Sequence, residues 1–283
     1  MSPLTRDGFT VSELIVALAL LGVVSAGALG LLRRTRDAYR TESQGIDVQQ
    51  NLRIAAAFLP AELRELNAAE GDLVAMSDTA ITIRAPRQLA VACRAPETAA
   101  SGTLTLRDAP FYRLRDFNPA IDSLWVYSEA VDGSDDGSWM LGPITSLAPD
   151  TCPDRRPGRR VTTALRPAGQ VAPGRVVPAG APVLGFETLT YRLYRSTEDR
   201  RWYVGMKTAT DLQPLLGPVT SDGLSFAYFD SSGAVTNEPI RVTMIEVRVR
   251  ARSVQPVRQA DGTLQHQVDS VVLLVALRNN RRF

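Results

Sequence analysis

MSPLTRDGFTVSELIVALALLGVVSAGALGLL, residues 1–32, decides how the rest of the chain is read. From Phe9 to Leu32 the only charged residue is Glu13. As a helix rising 1.5 Å per residue, that stretch spans about 36 Å, enough to cross a hydrocarbon core of about 30 Å with some tilt. Ala26-Gly27-Ala28 offers a signal-peptidase site, but the apolar run outlasts a signal-peptide core and no cleavage loop follows it. A retained membrane anchor is the better reading. Glu13 then needs a reason, because a carboxylate costs about 2.5–3.5 kcal/mol at the centre of a span and less near its end.

Beyond Leu32 the pattern turns amphipathic without a break. Tyr39, Val48, Leu52, Ala55, Leu59, Leu63 and Leu66 fall largely at spacings of three and four after Val48, with Arg, Glu and Gln between them. This is one apolar stripe on a helix. Pro60 is expected to bend it and Gly71 to stop it. The spacing predicts a helix that starts in lipid and ends with its stripe against a folded domain. A separate amphipathic helix joined near Gly45 is the alternative.

The remainder reads as strands. Segments 79–84, 103–107, 123–128, 188–195, 201–206, 224–229, 241–253 and 270–279 are β-branched or aromatic and often alternate. Loops rich in Gly, Pro, Asp and Ser separate them, among them VDGSDDGS (131–138) and PDRRPGRR (153–160). With few helical segments between strands, an antiparallel sheet packed on the helix follows, an α+β fold.

Composition narrows the chemistry. The 283 residues suffice for a sizeable core, and a net charge of +2 gives no case for a nucleic-acid binder as a whole. Lys207 is the only lysine, so the remaining basic residues are arginines, and His266 is the only histidine. That scarcity counts against metal and general-base chemistry. Cys93 and Cys152 have no CxxC spacing, which disfavours zinc and thioredoxin-like redox sites; in an oxidising compartment they could form one disulfide.

GFTVSELIVALALLG (8–22) resembles the class III signal of type IV pilins and type II secretion pseudopilins. In that family a short polar leader ends in Gly, a Phe follows, and a Glu stands four residues after the Phe. Here these are Gly8, Phe9 and Glu13. The resemblance implies a leader over 1–8, cleavage between Gly8 and Phe9 by a prepilin peptidase, and methylation of the new N-terminus, Phe9. It implies a membrane half of the helix over 9–32, an amphipathic half over 33–70 and a periplasmic β-rich domain over 71–283. Cleavage creates an ammonium at the bilayer edge, and Glu13 on a neighbouring subunit could neutralise it. Leaving either charge unpaired in low dielectric is expensive, so the pair would set register in a filament.

Length and the diffuse β pattern are similar to large minor pilins of the PilW type and to the J-type minor pseudopilin. Partners implied are the prepilin peptidase, other major and minor pilins or pseudopilins, and an inner-membrane assembly platform, with no cofactor. Nucleic acid enters only if the filament serves DNA uptake. The leader departs from the family in having Arg6 offset by Asp7, and Arg33, Arg34, Arg36 and Arg40 follow the span. The positive-inside count alone would put the domain in the cytoplasm; the resemblance puts it in the periplasm. Gly22, Gly27 and Gly30 could loosen the helix or permit close packing.

Other candidates are weaker. Asp132, Asp135 and Asp136 offer oxygen ligands for calcium, but Pro143 stands where a closing Glu belongs, so a solvated turn is expected. PDRRPGRR could meet phosphates or an acidic partner, though it reads as a solvated loop. His266 is expected to be exposed. No catalytic constellation is present in the sequence, so the chain reads as a structural subunit and not an enzyme. The competing class is a membrane-anchored periplasmic enzyme or ligand-binding domain whose N-terminus merely resembles a prepilin.

Overall fold

A computed structural model describes residues 10–94, 102–109, 112–130, 137–167, 175–259 and 261–278. One helix, α1 (Val11–Arg64), runs 54 residues without interruption. Apolar span and amphipathic stripe therefore form one rod of about 80 Å. Gly45 does not break it, and the helix continues one turn past Pro60. It ends at Arg64, short of the expected stop; Gly71, at φ +85°, instead closes a short 3-10 turn over Ala68–Glu70.

Eleven principal strands follow among the described residues. They are β1 (Leu73–Met76), β2 (Ala80–Arg94), β3 (Thr103–Arg107), β4 (Asp122–Ala130), β5 (Ser138–Thr151) and β6 (Pro157–Thr163). After them come β7 (Pro182–Arg195), β8 (Trp202–Lys207), β9 (Leu212–Phe229), β10 (Met244–Arg252) and β11 (Val268–Ala276). Their order in the sheet is β1-β2-β3-β6-β5-β4-β7-β8-β9-β10-β11, and every pairing is antiparallel. The expected α+β architecture, a long N-terminal helix on an antiparallel sheet, is what the chain adopts.

Sequence patterning did not reveal that β2 also pairs with β7, from Pro182↔Val91 to Arg192↔Ala80. That contact closes β2, β3, β6, β5, β4 and β7 into a barrel above the helix-backed sheet. Each part has its own core. Val48, Leu52, Ala55, Leu59 and Leu63 of α1 pack with Ile81, Ile83, Leu189, Tyr191, Val247 and Val249 in the lower one. Ala90, Leu104, Leu124, Val126, Val161 and Val183 fill the barrel.

A bulge in β2 makes this switch possible. Gly185 pairs with Gln88 and Phe186 with Pro86, so Arg87 is the extra residue. Before it, Ile81, Ile83 and Ala85 are buried; after it, Gln88, Ala90 and Ala92 are. An extra residue shifts the two-residue period by one and turns the opposite side of the strand inward. Gly185 is forced at this kink, because a Cβ there would lie 2.2 Å from Gln88 Oε1 and 2.6 Å from the Phe117 ring.

The PDRRPGRR segment differs from the loop expected of it. Cys152–Arg156 makes a tight turn, with the Arg155 N–H donating to Cys152 O at 2.9 Å, and β6 starts at Pro157. The arginines at 159 and 160 stand on a paired strand, which their charge concealed.

Candidate functional site

The start of α1 is capped by its own sequence. Thr10-Val11-Ser12-Glu13 is a capping box: the Thr10 hydroxyl accepts from the Glu13 N–H at 3.3 Å, and Glu13 Oε2 accepts from the Thr10 N–H at 2.9 Å. Glu13 thus satisfies an orphan donor at the helix N-terminus, where negative charge is also favoured by the helix dipole. The T-x-x-E spacing is the sequence signature of this role. Oε2 also accepts from the Thr10 hydroxyl at 2.9 Å; Oε1 accepts nothing among the described residues. One oxygen remains available to a donor from elsewhere.

From Val11 to Leu32 the helix side chains are exposed, with Leu14, Ile15, Val16, Leu18, Leu20 and Leu21 each more than half so. The segment is long and apolar enough to cross a membrane. No part of the head covers it. Gly22, Gly27 and Gly30 have open space where a Cβ would sit, so nothing within one subunit requires them to be glycine.

Where helix, lower sheet and barrel meet, charged side chains form a chain of contacts. Arg87, at the bulge, donates through both Nη atoms to Glu62 Oε1 and Oε2 of α1, at 3.1 and 3.0 Å. The Tyr191 hydroxyl of β7 donates to Glu62 Oε2 at 3.0 Å. Arg87 Nε lies 3.7 Å from Glu187 Oε2, which also accepts from Arg115 Nη2 at 3.0 Å. Arg115 grips Asp122 of β4 with both Nη atoms, at 2.7 and 2.6 Å. Burial pushes the Tyr191 hydroxyl up, and the Glu62 charge adds to that, so it stays protonated and donates. Burial opposes charge on Arg87, but the bond to Glu62 outweighs it and the guanidinium titrates above its ordinary value. Two bidentate pairs, Arg87–Glu62 and Arg115–Asp122, bridged by Glu187, set the orientation of the barrel on the helix. Nothing in the linear spacing of 62, 87, 115, 122 and 187 announced them.

Cys93, at the end of β2, is bridged to Cys152, with Cα atoms 5.6 Å apart. The bridge ties the end of β2 to the turn between β5 and β6, beside Gly158, whose added Cβ would lie 2.9 Å from Leu106 O and 3.1 Å from Cys152 Sγ. Two arginines of 153–160 are paired: Arg159 with Asp108 at 2.7 Å and Arg160 with Asp150 at 3.2 Å. His266 is half-buried, contrary to expectation, with Nδ1 2.9 Å from Ser253 O and Nε2 2.8 Å from Arg252 Nη2. Gly8, Phe9 and the calcium candidates Asp132, Asp135 and Asp136 lie outside the described residues. Among the described residues no group of three metal-ligating side chains gathers.

The family model described as the prokaryotic N-terminal methylation motif matches residues 5–29. That match supports a type IV pilin-like protein. No curated protein and no solved structure matches the chain. The pilin-like motif points to a structural subunit rather than an enzyme, and implies processing by prepilin peptidase and assembly with other pilins. An apolar helix carrying that motif is consistent with single-pass anchoring and incorporation into a pilus. The pilin-like assignment rests on the anchor; the head must be argued from its own geometry.

Proposed function

We propose that the chain is a minor pilin or pseudopilin that primes or caps a type IV pilus or a type II secretion pseudopilus. One observation carries this reading. The motif-bearing half of a single 54-residue helix is bare apolar surface, while its second half is the core of a large β head. A helix hydrophobic all round needs lipid or other helices about it. In the membrane it has the first, and in a filament of like helices it has the second.

In this reading prepilin peptidase cuts between Gly8 and Phe9, and Phe9 becomes the methylated terminus. The head, residues 71–283, stands in the periplasm, and an inner-membrane platform moves the subunit into the filament with its partner pilins. Glu13 caps its own helix through Oε2 and meets the Phe9 ammonium of a neighbour through its remaining oxygen. Mass spectrometry of the mature protein tests the assignment: methyl-Phe9 is expected, and retention of Met1 overturns it. A phosphatase that needs export, fused after Phe283, is expected to be active; an inactive fusion overturns the periplasmic placement. Glu13→Gln separates the two roles of Glu13. The amide still accepts from the Thr10 N–H, but it cannot balance an ammonium. Normal membrane insertion with lost filament incorporation is expected, and unchanged incorporation refutes the ion pair.

A further inference from the structure

Strand directions put one end of the head beside the membrane-proximal part of α1. The Gln255 N–H donates to Gln44 Oε1 at 2.9 Å, and Gln49 Nε2 to Asp269 Oδ2 at 2.6 Å. At the opposite end the Arg278 N–H donates to Arg64 O. Register carries the lower end across the sheet, from Ala251↔Val219 to Trp202↔Val219 to Arg195↔Trp202. A cavity of about 580 Å³ opens at this base, and its lining includes Arg195, Arg200, Arg201, Arg252, Trp202 and His266.

The cavity holds surplus positive charge. Its one carboxylate, Asp199, is taken up by the Tyr203 hydroxyl at 2.6 Å and by Arg201 at 3.7 Å. Arg195, Arg200 and Arg252 have no carboxylate partner among the described residues, whereas Arg107, Arg115, Arg159 and Arg160 of the barrel each meet an aspartate. Arg252 is held by His266 Nε2 at 2.8 Å, and Arg195 Nε donates to Arg200 O at 2.9 Å. Guanidiniums held without a carboxylate partner around an open cavity suit a phosphate oxyanion, which takes paired N–H donors. Trp202 beside them matches the amphipathic ring found at membrane interfaces.

The source of the phosphate follows from position. Helix burial begins at Thr41, and the exposed Arg33, Arg34, Arg36 and Arg40 lie between it and Leu32, with Asp37 the only acid among them. From Leu32 to Gln44, which the cavity-lining Gln255 touches, twelve residues of helix measure about 18 Å along the axis. A headgroup layer of about 5–7 Å, a tilted helix and the reach of an arginine cover that gap. We propose that the basal cavity takes the headgroup of an anionic phospholipid from the membrane that α1 spans, so that the unassembled head is seated on the bilayer. The inference rests on the anchored reading given above.

Full-length protein in nanodiscs tests it by hydrogen exchange of residues 196–202 and 253–256. Phosphatidylcholine discs, discs containing phosphatidylglycerol, and phosphatidylcholine discs with inorganic phosphate form the three arms. Exchange in these segments is expected to slow only in the phosphatidylglycerol discs, by about fivefold per engaged arginine. The double variant Arg195→Gln, Arg200→Gln, altered at two exposed side chains, is expected to lose the effect while β3 exchanges as before. Identical exchange in neutral and anionic discs overturns the proposal. Equal slowing by inorganic phosphate assigns the cavity to a soluble anion and overturns the lipid source. If Val11–Leu32 is unprotected in every disc, the anchored reading itself fails; protection there without charge dependence at the base defeats this inference alone.

Discussion

The helix-backed sheet and the barrel share two strands, β2 and β7, yet they are stabilised by different means. The lower half is half a core: Ile81, Ile83, Leu189 and Tyr191 are covered only because α1 lays Leu52, Ala55, Leu59 and Leu63 across them. The barrel closes on itself, is filled from its own strands and is tied by a disulfide. The lower half is therefore conditional on the helix, and the upper half is not. In a pilin-like subunit this separates duties. One half is bound to the motif-bearing helix, and the other closes on itself.

Breaking the junction should have the largest effect. Arg87→Met keeps the volume and leaves Glu62 and Glu187 short of a partner, which for buried charges costs about 3–5 kcal/mol. Exchange protection is expected to fall in both halves together; loss confined to one half would show that the ion chain does not couple them. Removing the bridge with Cys93→Ser and Cys152→Ser releases a loop of 59 residues, worth about 4 kcal/mol by chain entropy. Here protection should fall in β3, β5 and β6 and persist in β10 and β11. Leu59→Ala cuts the other way. Leu59 is fully buried, so the loss is about 3 kcal/mol and should appear in β10 and β11 first. An equal loss in the barrel would erase the distinction between the halves.

The two halves were also unequally legible. The helix and the lower strands could be read because their periods, 3.6 and 2, hold over whole elements facing one core. In β2 the alternation Ile81, Ile83, Ala85 reverses at Arg87, and a pattern that changes phase mid-strand looks like the end of a strand. The residues 85–94 and 182–187, which close the barrel, were missed for that reason. β6 was hidden by Arg159 and Arg160, whose charges are compensated by Asp108 and Asp150 on neighbouring strands or loops. The methylation motif over residues 5–29 was readable because its signature lies in local spacing. The ion chain was not, because pairing across the fold has no signature in sequence spacing.

The smallest expected effect concerns pH and sits at the upper edge of the helix-backed half, just beyond the end of α1. The Asp72 carboxylate is half-buried after the 3-10 turn and accepts from the Asn67 N–H at 2.9 Å. Burial pushes its pKa up from 3.8 to about 6, against the opposing pull of that bond and of Arg84. The unfolded chain releases this proton near 3.8 and the folded chain near 6, so between those values the folded state holds more protons. Stability contributed by this group is thus full below about pH 4 and declines as pH rises towards 6. Asp72→Asn keeps an acceptor for the Asn67 N–H and removes the titration. Relative to the parent, the variant should gain about 2 kcal/mol between pH 4 and pH 7. Paired thermal melts of the two proteins across that range check it. Parallel curves would mean that Asp72 keeps its ordinary pKa, and that the turn after α1 is more open to water than the rest of the helix-backed core.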